Sequence, residues 1–485
     1  MSIIKSTNLV ILLISLLGCG QSSVDLDSSS LLDSNVDKNK LVMIPGHEQL
    51  VTLHYDEAFV ASACTIINPI NLSITTPCSC STGVCTAGLT PDGLGPGTYS
   101  YTVEDGGSSS DQEVVTTDTK EGVPFVSTWR VGDGSFGDGD LTITLPLPNG
   151  YNYNFTVDWG DGNTAEVTAH DDVDIDHTYG LAGDYTIKIS GLIEAWSFPW
   201  TSDRGKIISV SELGHVGWRS LEATFKSCTN LGTVAGGETS NVTSMKQMFD
   251  SSANVTPDTS TYNTSNVTDM SVMFRDTNLA DPDTSKWDTS KVTTMRQMFD
   301  DAGGANPDTS NWDTSKVTDM YRMFYGTTAE PDTSKWNTSS VTNMARMFYM
   351  SWADPDTSNW DTSSVTNMEN MFYNAYNANP DVSGWDTSNV TDMGFMFAYA
   401  EYANPDMSNW DFSSSNDVHM FVGNMSKPVG ISTENYDNLL IQLDNTGGSN
   451  LTINVDSVQY TSAVSGTARA NLVSKGWTVT DGGSI

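Results

Sequence analysis

The residue pattern with the most obvious chemical potential is Met-x-x-Met-Phe, which occurs seven times and uses 14 of the 20 methionines. Thioethers are soft ligands, so a methionine-rich array could bind Cu(I). In every repeat a valine lies three residues before the first methionine, as in Val317, Met320, Met323 and Phe324. That spacing would place all four side chains on one helix face. Because valine and phenylalanine share the face, the pattern favours an apolar core over a copper site.

Repeated aspartates raise the possibility of calcium binding. Asp308 and Asp313 illustrate the two positions at which the repeats carry a carboxylate, and Ca²⁺ prefers six to eight oxygen ligands. The alternative is that each carboxylate accepts hydrogen bonds from nearby backbone N–H groups in an Asx turn. Asp133, Asp138 and Asp140, in a glycine-rich turn, form a second, weaker candidate. Calcium is therefore possible, and no other cofactor is predicted.

Aromatic residues form two sets of candidate ligand contacts. One set lies five residues after each repeat proline and could stack on sugars if exposed, but its strict periodicity favours burial. This set comprises Tyr262, Trp287, Trp312, Trp336, Trp360, Trp385 and Trp410. The second set falls in residues 347–426, which contain no lysine or arginine, and predicts an acidic, tyrosine-rich binding patch. The alternative is that these rings cover helix ends. This set comprises Tyr349, Tyr373, Tyr376, Tyr399 and Tyr402.

Catalytic motifs do not emerge from the sequence. It has no Gly-x-Ser-x-Gly, His-Glu-x-x-His or phosphate-binding loop. None of the six histidines belongs to a recognisable metal or nucleophile arrangement, and His177 is interpreted as structural. We therefore predict that the protein is not an enzyme and that it has no catalytic residues.

Four of the six cysteines cluster at Cys64, Cys78, Cys80 and Cys85. In an exported protein this cluster predicts two disulfides with three possible connectivities. A zinc site is the alternative, although the spacing is irregular for one. Cys228 stands alone in a repeat-like segment and is expected to be a small buried residue.

Charge and length limit the class of protein. The net charge is −38, from 60 acidic and 22 basic residues, which argues against nucleic acid because phosphate binding needs a basic surface. A chain of 485 residues is too long for one compact core. We therefore expect several domains and no nucleic-acid partner. The partner that we predict is an extracellular protein or polysaccharide.

The N-terminus predicts export. Lys5 precedes a short apolar run, residues 9–17, that ends in Leu16-Leu17-Gly18-Cys19. This order of features resembles the signal of bacterial lipoproteins. The resemblance implies cleavage before Cys19, lipidation of that cysteine, and, because glycine follows it, an outer-membrane or cell-surface location. Residues 1–19 are thus assigned as the signal and lipidation site, and residues 20–39 as a flexible tether.

Two β-domains are predicted next. Residues 40–122 contain alternating apolar segments separated by turn residues, which predict a disulfide-bearing β-sandwich. Residues 97–105 resemble the last strands of bacterial Ig- or cadherin-like domains. Residues 123–196 contain clear strands at 141–145 and 185–189 and a tight Asp161-Gly162 turn. The Trp159-Gly-Asp-Gly and His177-Thr-Tyr motifs in this region resemble the polycystic-kidney-disease (PKD) domain, a β-sandwich spacer. Trp159 and Tyr185 are then expected in the core.

A repeat of 24–25 residues occupies most of the remaining chain. Each unit predicts one short helix, N-capped by a Thr-Ser pair, and one short strand that begins at a Pro-Asp pair. The predicted fold is multidomain: all-β sandwich-like domains followed by an α/β leucine-rich-repeat-like solenoid. Residues 197–240 are assigned as the entry segment and N-terminal cap, 241–425 as repeats, and 426–485 as a C-terminal cap.

The repeat unit at residues 312–324 resembles that of BspA-type leucine-rich-repeat surface proteins. The resemblance covers residues 123–485, although proline replaces the apolar residue and Asn-Gln that many members have before the repeat aspartate. It implies a cell-surface adhesion or binding protein that presents its repeats to a protein or glycan ligand. A self-associating envelope or matrix component and an accessory carbohydrate-binding subunit are the alternatives.

Overall fold

The computed structural model describes residues 123–198, 202–415, 430–455 and 457–485, and the backbone of nine further strands. Eight of these strands lie in residues 22–116, and their side chains are outside the described part. Cys19 and Cys64 are also outside it, as are the side chains of Cys78, Cys80 and Cys85. The lipidation and disulfide predictions therefore stay predictions.

The N-terminal strands form two four-stranded sheets, with orders β1-β3-β6-β5 and β2-β8-β7-β4. Register places Cys80 opposite Cys85 across the β5–β6 pair. The strands are β1 (Ser22–Leu26), β2 (Lys40–Met43), β3 (Gln49–His54), β4 (Thr65–Ile70), β5 (Leu72–Ser81), β6 (Val84–Pro91), β7 (Gly97–Asp105) and β8 (Ser108–Thr116).

A second β-region continues into the repeats through one seven-stranded sheet of order β12-β11-β14-β9-β15-β16-β17. The antiparallel pair β9–β15 crosses the boundary predicted at residue 196, so that boundary does not interrupt the sheet. A two-stranded sheet, β10–β13, completes the region. The strands are β9 (Phe125–Val131), β10 (Thr142–Thr144), β11 (Tyr153–Asp158), β12 (Thr164–Val167), β13 (Asp176–Thr178), β14 (Gly183–Ile193), β15 (Ile207–Glu212), β16 (Thr233–Val234) and β17 (Thr256–Pro257).

Side-chain alternation explains how this region packs. β9 alternates buried and half-buried residues along its whole length, which is typical of a strand with one face on a core. The strands predicted at 141–145 and 185–189 are confirmed as β10 and β14, and the predicted turn joins β11 to β12. Trp159 is buried as expected, whereas Tyr185 is only half-buried and stacks on Tyr179 with ring centroids 3.9 Å apart.

The prediction of an α/β leucine-rich-repeat-like solenoid is wrong. The described residues contain only two α-helices, and neither lies in residues 241–415. Regular structure in the described chain is predominantly β-sheet, and the Met-x-x-Met-Phe segments are successive turns. The predicted Thr-Ser N-caps therefore have no helix to cap.

Backbone hydrogen bonds explain why no helix forms. The N–H groups of Met295, Gln297, Phe299 and Asp301 donate to carbonyls of the next repeat, at 2.8–3.1 Å. An α-helix would use those N–H groups within its own segment. Gln297 and Asp301 also have φ values of 55° and 53°, in the left-handed region that a right-handed helix excludes. The corresponding positions of the other repeats share this conformation.

Parallel contacts of single residues connect successive repeats. Two-residue strands occur only at β16 and β17 among the described residues of the stack, and the later repeats meet at isolated bridges such as Thr294–Asp319. The strand predicted at each Pro-Asp pair is therefore wrong beyond Pro257. Proline has no N–H group to donate to a ladder. Near the Pro-Asp pairs, threonine hydroxyls supply hydrogen bonds between repeats instead. Thr284 Oγ1, for example, donates to the Asp308 carbonyl at 2.8 Å.

The predicted apolar columns are confirmed as the core. The repeat valine, both methionines and phenylalanine have at most 1% exposure throughout. Phenylalanines stack along the column at 5.5–5.7 Å between ring centroids. Tryptophans from Trp287 to Trp410 stack at 6.1–6.5 Å. Cohesion between repeats thus combines aromatic stacking with apolar burial.

The C-terminal segment contains both α-helices, which the sequence analysis did not predict. α1 is Thr433–Thr446, and its N-cap is Ser432, whose side chain accepts a hydrogen bond from the Asn435 N–H at 3.2 Å. α2 is Ser462–Ser474. A parallel three-stranded sheet accompanies them: β18 (Met420–Phe421), β19 (Thr452–Asn454) and β20 (Thr478–Thr480). This sheet and the two helices form the last described part of the chain.

Candidate ligand-binding site

The residue that follows each repeat phenylalanine forms a column along the stack, here called the surface column. In its first half the column contains Lys226, Asp250, Arg275 and Asp300. The guanidinium of Arg275 donates to both oxygens of Asp250 at 2.9 and 3.0 Å, and Lys226 lies 3.2 Å from the same carboxylate. Arg322 donates to both oxygens of Asp300 at 2.8 Å. Both carboxylates are buried, so this half is an internally neutralised ladder of ion pairs.

Rings replace the ions in the second half of the surface column. Tyr325, Tyr349 and Tyr373 occupy successive repeats, with centroids 4.8 and 4.5 Å apart and ring planes within 7° of parallel. Ala398 occupies the next position of the column, and Tyr399, one residue further on, contacts Tyr373 edge-on at 5.3 Å between ring centroids. Burial raises the pKa of Tyr349 and Tyr373, so both phenols stay neutral at physiological pH.

An outer row of more exposed residues accompanies the tyrosine column. The exposed fractions are 50% for Trp352, 37% for Tyr376, 59% for Tyr402 and 39% for Met350. Trp352 and Tyr376 contact each other, with centroids 5.1 Å apart. Asn374 donates to the Tyr376 hydroxyl at 3.1 Å and so connects the two rows. The two rows form the aromatic face: Tyr325, Tyr349, Trp352, Tyr373, Tyr376, Tyr399 and Tyr402.

The five tyrosines predicted as ligand contacts all belong to this face, in two groups. Tyr349, Tyr373 and Tyr399 are half-buried, whereas Tyr376 and Tyr402 are exposed. Sequence analysis missed Trp352, the largest exposed ring, because the strict spacing of the other repeat tryptophans predicted that tryptophan is buried in this region. Its position in the repeat could have distinguished it. Trp352 precedes its repeat proline by three residues, whereas the buried, stacked tryptophans follow theirs by five.

The calcium candidate in the glycine-rich turn has a different role. Asp138, Asp140 and Asp203 form the one group of three possible metal ligands among the described residues. The ammonium of fully buried Lys206 lies between them, at 2.8, 2.5 and 2.6 Å. Burial lowers the pKa of Lys206, but hydrogen bonds to the three carboxylates outweigh that effect and raise it. Lys206 therefore occupies the position that a cation would need, and Asp133 is not part of the group.

The repeat aspartates form Asx turns, as the alternative interpretation predicted. Asp308 accepts from the backbone N–H and the hydroxyl of Ser310, at 3.0 and 2.6 Å. Asp313 accepts from the N–H of Ser315 at 2.9 Å. These hydrogen bonds lower the pKa of Asp308 and Asp313. The carboxylates thus stabilise the turns that hold the stack.

Comparison with known proteins matches the repeats to one family. Residues 219–334 and 327–432 are similar to a family described as Mycoplasma protein of unknown function, DUF285. No curated protein and no solved structure matches the chain. The match covers the ion-pair ladder and the aromatic face, and the family's description assigns neither of them a role.

Two further predicted residues have structural surroundings. His177 lies 2.8 Å from Asp161 and stacks on Trp159 at 4.7 Å between centroids, contacts that fix the turn between β11 and β12. Cys228 is a free, fully buried thiol, as expected, and burial raises its pKa well above the ordinary value.

Proposed function

We propose that the protein is a cell-surface binding or adhesion protein, anchored through Cys19, that uses the aromatic face to contact an extracellular macromolecule. The observation that carries the proposal is the exposed row of Trp352, Tyr376 and Tyr402. Large aromatic side chains are enriched at interfaces because they offer rigid contact area at low entropic cost. A catalytic role is not proposed.

The rigidity of the stack supports this proposal. Tyr349 and Tyr373 directly follow the buried residues Phe348 and Phe372, and the backbone N–H of Phe348 donates to the Met371 carbonyl of the next repeat at 2.9 Å. Rings held on such a framework lose little conformational freedom when a ligand binds. The face is therefore preorganised for binding.

We propose that the lipid on Cys19 attaches the protein to the membrane. Neither α-helix of the described residues has the length or the apolar character needed to cross a bilayer. A single lipid chain binds membranes reversibly, whereas several chains anchor stably. Metabolic labelling with a fatty-acid analogue tests this assignment: wild type incorporates label and Cys19→Ala does not.

Binding is tested with the chain from residue 20 onward, immobilised and exposed to arrays of matrix proteins and glycans, with and without EDTA. A fragment starting at residue 197 would be unsuitable, because it would remove β9 from beside β15. We expect a ligand that wild type retains and that Trp352→Ser/Tyr376→Ser/Tyr402→Ser loses. Leu279→Ser/Tyr151→Ser, which removes two other exposed apolar side chains, serves as the control. Equal retention by all three proteins would contradict the proposed site.

A further inference from the structure

The exposed rings of the aromatic face can stack on cations as well as on apolar groups. Resting on the proposed function, we propose that its partner is a protein segment that carries arginine or lysine side chains, whose cations stack on Trp352, Tyr376 and Tyr402.

The repeats already bind guanidinium groups on tyrosine rings. Arg322 lies over the ring of Tyr325, 3.7 Å from its centroid, while it pairs with Asp300. Arg296 lies 4.1 Å over Tyr321. Planar guanidinium groups stack well on aromatic faces, to which the ring quadrupole attracts them. The repeat geometry is thus suited to this contact, and in these two cases the chain supplies its own cation.

Between residues 347 and 426 the sequence supplies no lysine or arginine. Residues 347–426 contain nine aspartates and two glutamates but no lysine or arginine. Arg346, at the edge of this region, is held by Glu369 at 2.8 Å and by the Tyr321 hydroxyl at 3.1 Å. The exposed rings therefore belong to a negatively charged stretch of the chain, and Arg346, which directly precedes it, is engaged by Glu369 and Tyr321. A basic partner complements that charge, whereas an anionic one is repelled.

Neighbouring groups complete a site for long basic side chains. Met350, 39% exposed, lies two residues before Trp352 and offers apolar contact for an alkyl stem. Asp354 is exposed two residues after Trp352, where a carboxylate can attract the charged end. A basic segment is favoured over a glycan because the acidic residues of 347–426 attract cations, whereas a neutral glycan gains nothing from that charge.

The test is a fluorescence-anisotropy titration of the chain from residue 20 onward with a labelled peptide of alternating glycine and arginine. The matched probe replaces each arginine with citrulline, which keeps the planar group but has no charge. Salt is held at about 0.15 M to screen long-range attraction by the acidic chain. We expect the arginine peptide to bind at least tenfold more tightly than the citrulline peptide.

Variants separate ring contacts from general charge attraction. Trp352→Ser/Tyr376→Ser/Tyr402→Ser keeps every charge, and we expect it to weaken arginine-peptide binding by about tenfold or more, from the loss of three ring–cation contacts. Leu279→Ser/Tyr151→Ser should bind as wild type does. Equal affinity of all three proteins, or of both peptides, would overturn the inference. A glycan that wild type retains and the triple variant loses would preserve the proposed function while overturning the cationic partner.

Discussion

The two halves of the surface column show how one repeat framework can carry two kinds of surface. Up to Arg346 the repeats from residue 219 contain sixteen acidic and eleven basic residues, and the column neutralises itself through Asp250 and Asp300. Residues 347–426 contain no lysine or arginine, and the column, which is a ring from Tyr325 onward, continues with Tyr349 and Tyr373. The buried valines, methionines and phenylalanines are the same in both halves. Surface chemistry thus varies independently of the packing that holds the repeats together.

The largest expected effect is on the free energy of unfolding, and it tests whether the core packs in the same way beneath both halves of the surface column. Phe299→Ala and Phe372→Ala remove equivalent, fully buried rings from the two halves. Each should lower the free energy of unfolding by about 3–5 kcal/mol, from lost burial and the cavity left behind. Urea unfolding followed by tryptophan fluorescence measures both variants. A difference above about 2 kcal/mol between them would show that the halves do not share one packing scheme.

Removing a buried carboxylate should destabilise the ion-pair half. Asp250→Asn leaves Arg275 and Lys226 without their common anion, and we expect a loss of about 2–3 kcal/mol in the free energy of unfolding. Both cations are partly exposed, so the loss should be smaller than for a fully buried ion pair. Asp354→Asn, an exposed carboxylate in the other half, is the control. Equal, small losses for both variants would mean that the ladder contributes nothing.

A smaller effect is expected from the tyrosine column. Tyr349→Leu keeps an apolar side chain but removes two parallel ring contacts, which should cost about 1 kcal/mol. Thermal unfolding measures this change, with the exposed Tyr402→Leu as the control that alters stability little. If Tyr349→Leu is as stable as the control, the column does not stabilise the stack.

The smallest expected effect is on stability at low pH, and it should be the same in both halves of the surface column. Hydrogen bonds from Ser310 and Ser363 lower the pKa of Asp308 and Asp361 in the folded chain. The stabilisation that these hydrogen bonds give to the folded chain is complete above the unfolded pKa of about 3.9. It is lost as pH falls through the lower pKa of the folded chain. Ser310→Ala and Ser363→Ala should therefore narrow the stability difference between neutral pH and about pH 3. An unchanged difference in urea titrations would contradict this role.

Sequence periodicity predicted the buried columns and the Asx turns, because both depend on residue type at a fixed spacing. It did not predict the local conformation, since valine, methionine and phenylalanine recur with the same spacing in a helix and in stacked turns. Asp276 and Asn374 favour left-handed backbone and hinted at turns, but Val272 and Phe395 adopt it without any such signal. Their conformation depends on hydrogen bonds to the neighbouring repeat, a long-range cause that local pattern does not encode.

The candidate site was predicted in part for similar reasons. An absence of basic residues and a run of tyrosines are visible in the sequence, so five members of the aromatic face were found. Trp352 and Tyr325 were missed because their place depends on how repeats stack. Likewise, the cluster of Asp138, Asp140 and Asp203 resembles a cation site until Lys206, distant from the first two in sequence, is placed within it.

Hydroxyl-radical footprinting, with and without the arginine peptide, tests most directly whether the exposed rings are the contact surface. In the free protein Trp352, Tyr376 and Tyr402 should react strongly, while buried Met320 and Met323 should not. Added peptide should protect those three rings and leave Tyr151 unchanged. Reactive core methionines, or equal protection of Tyr151, would contradict the account.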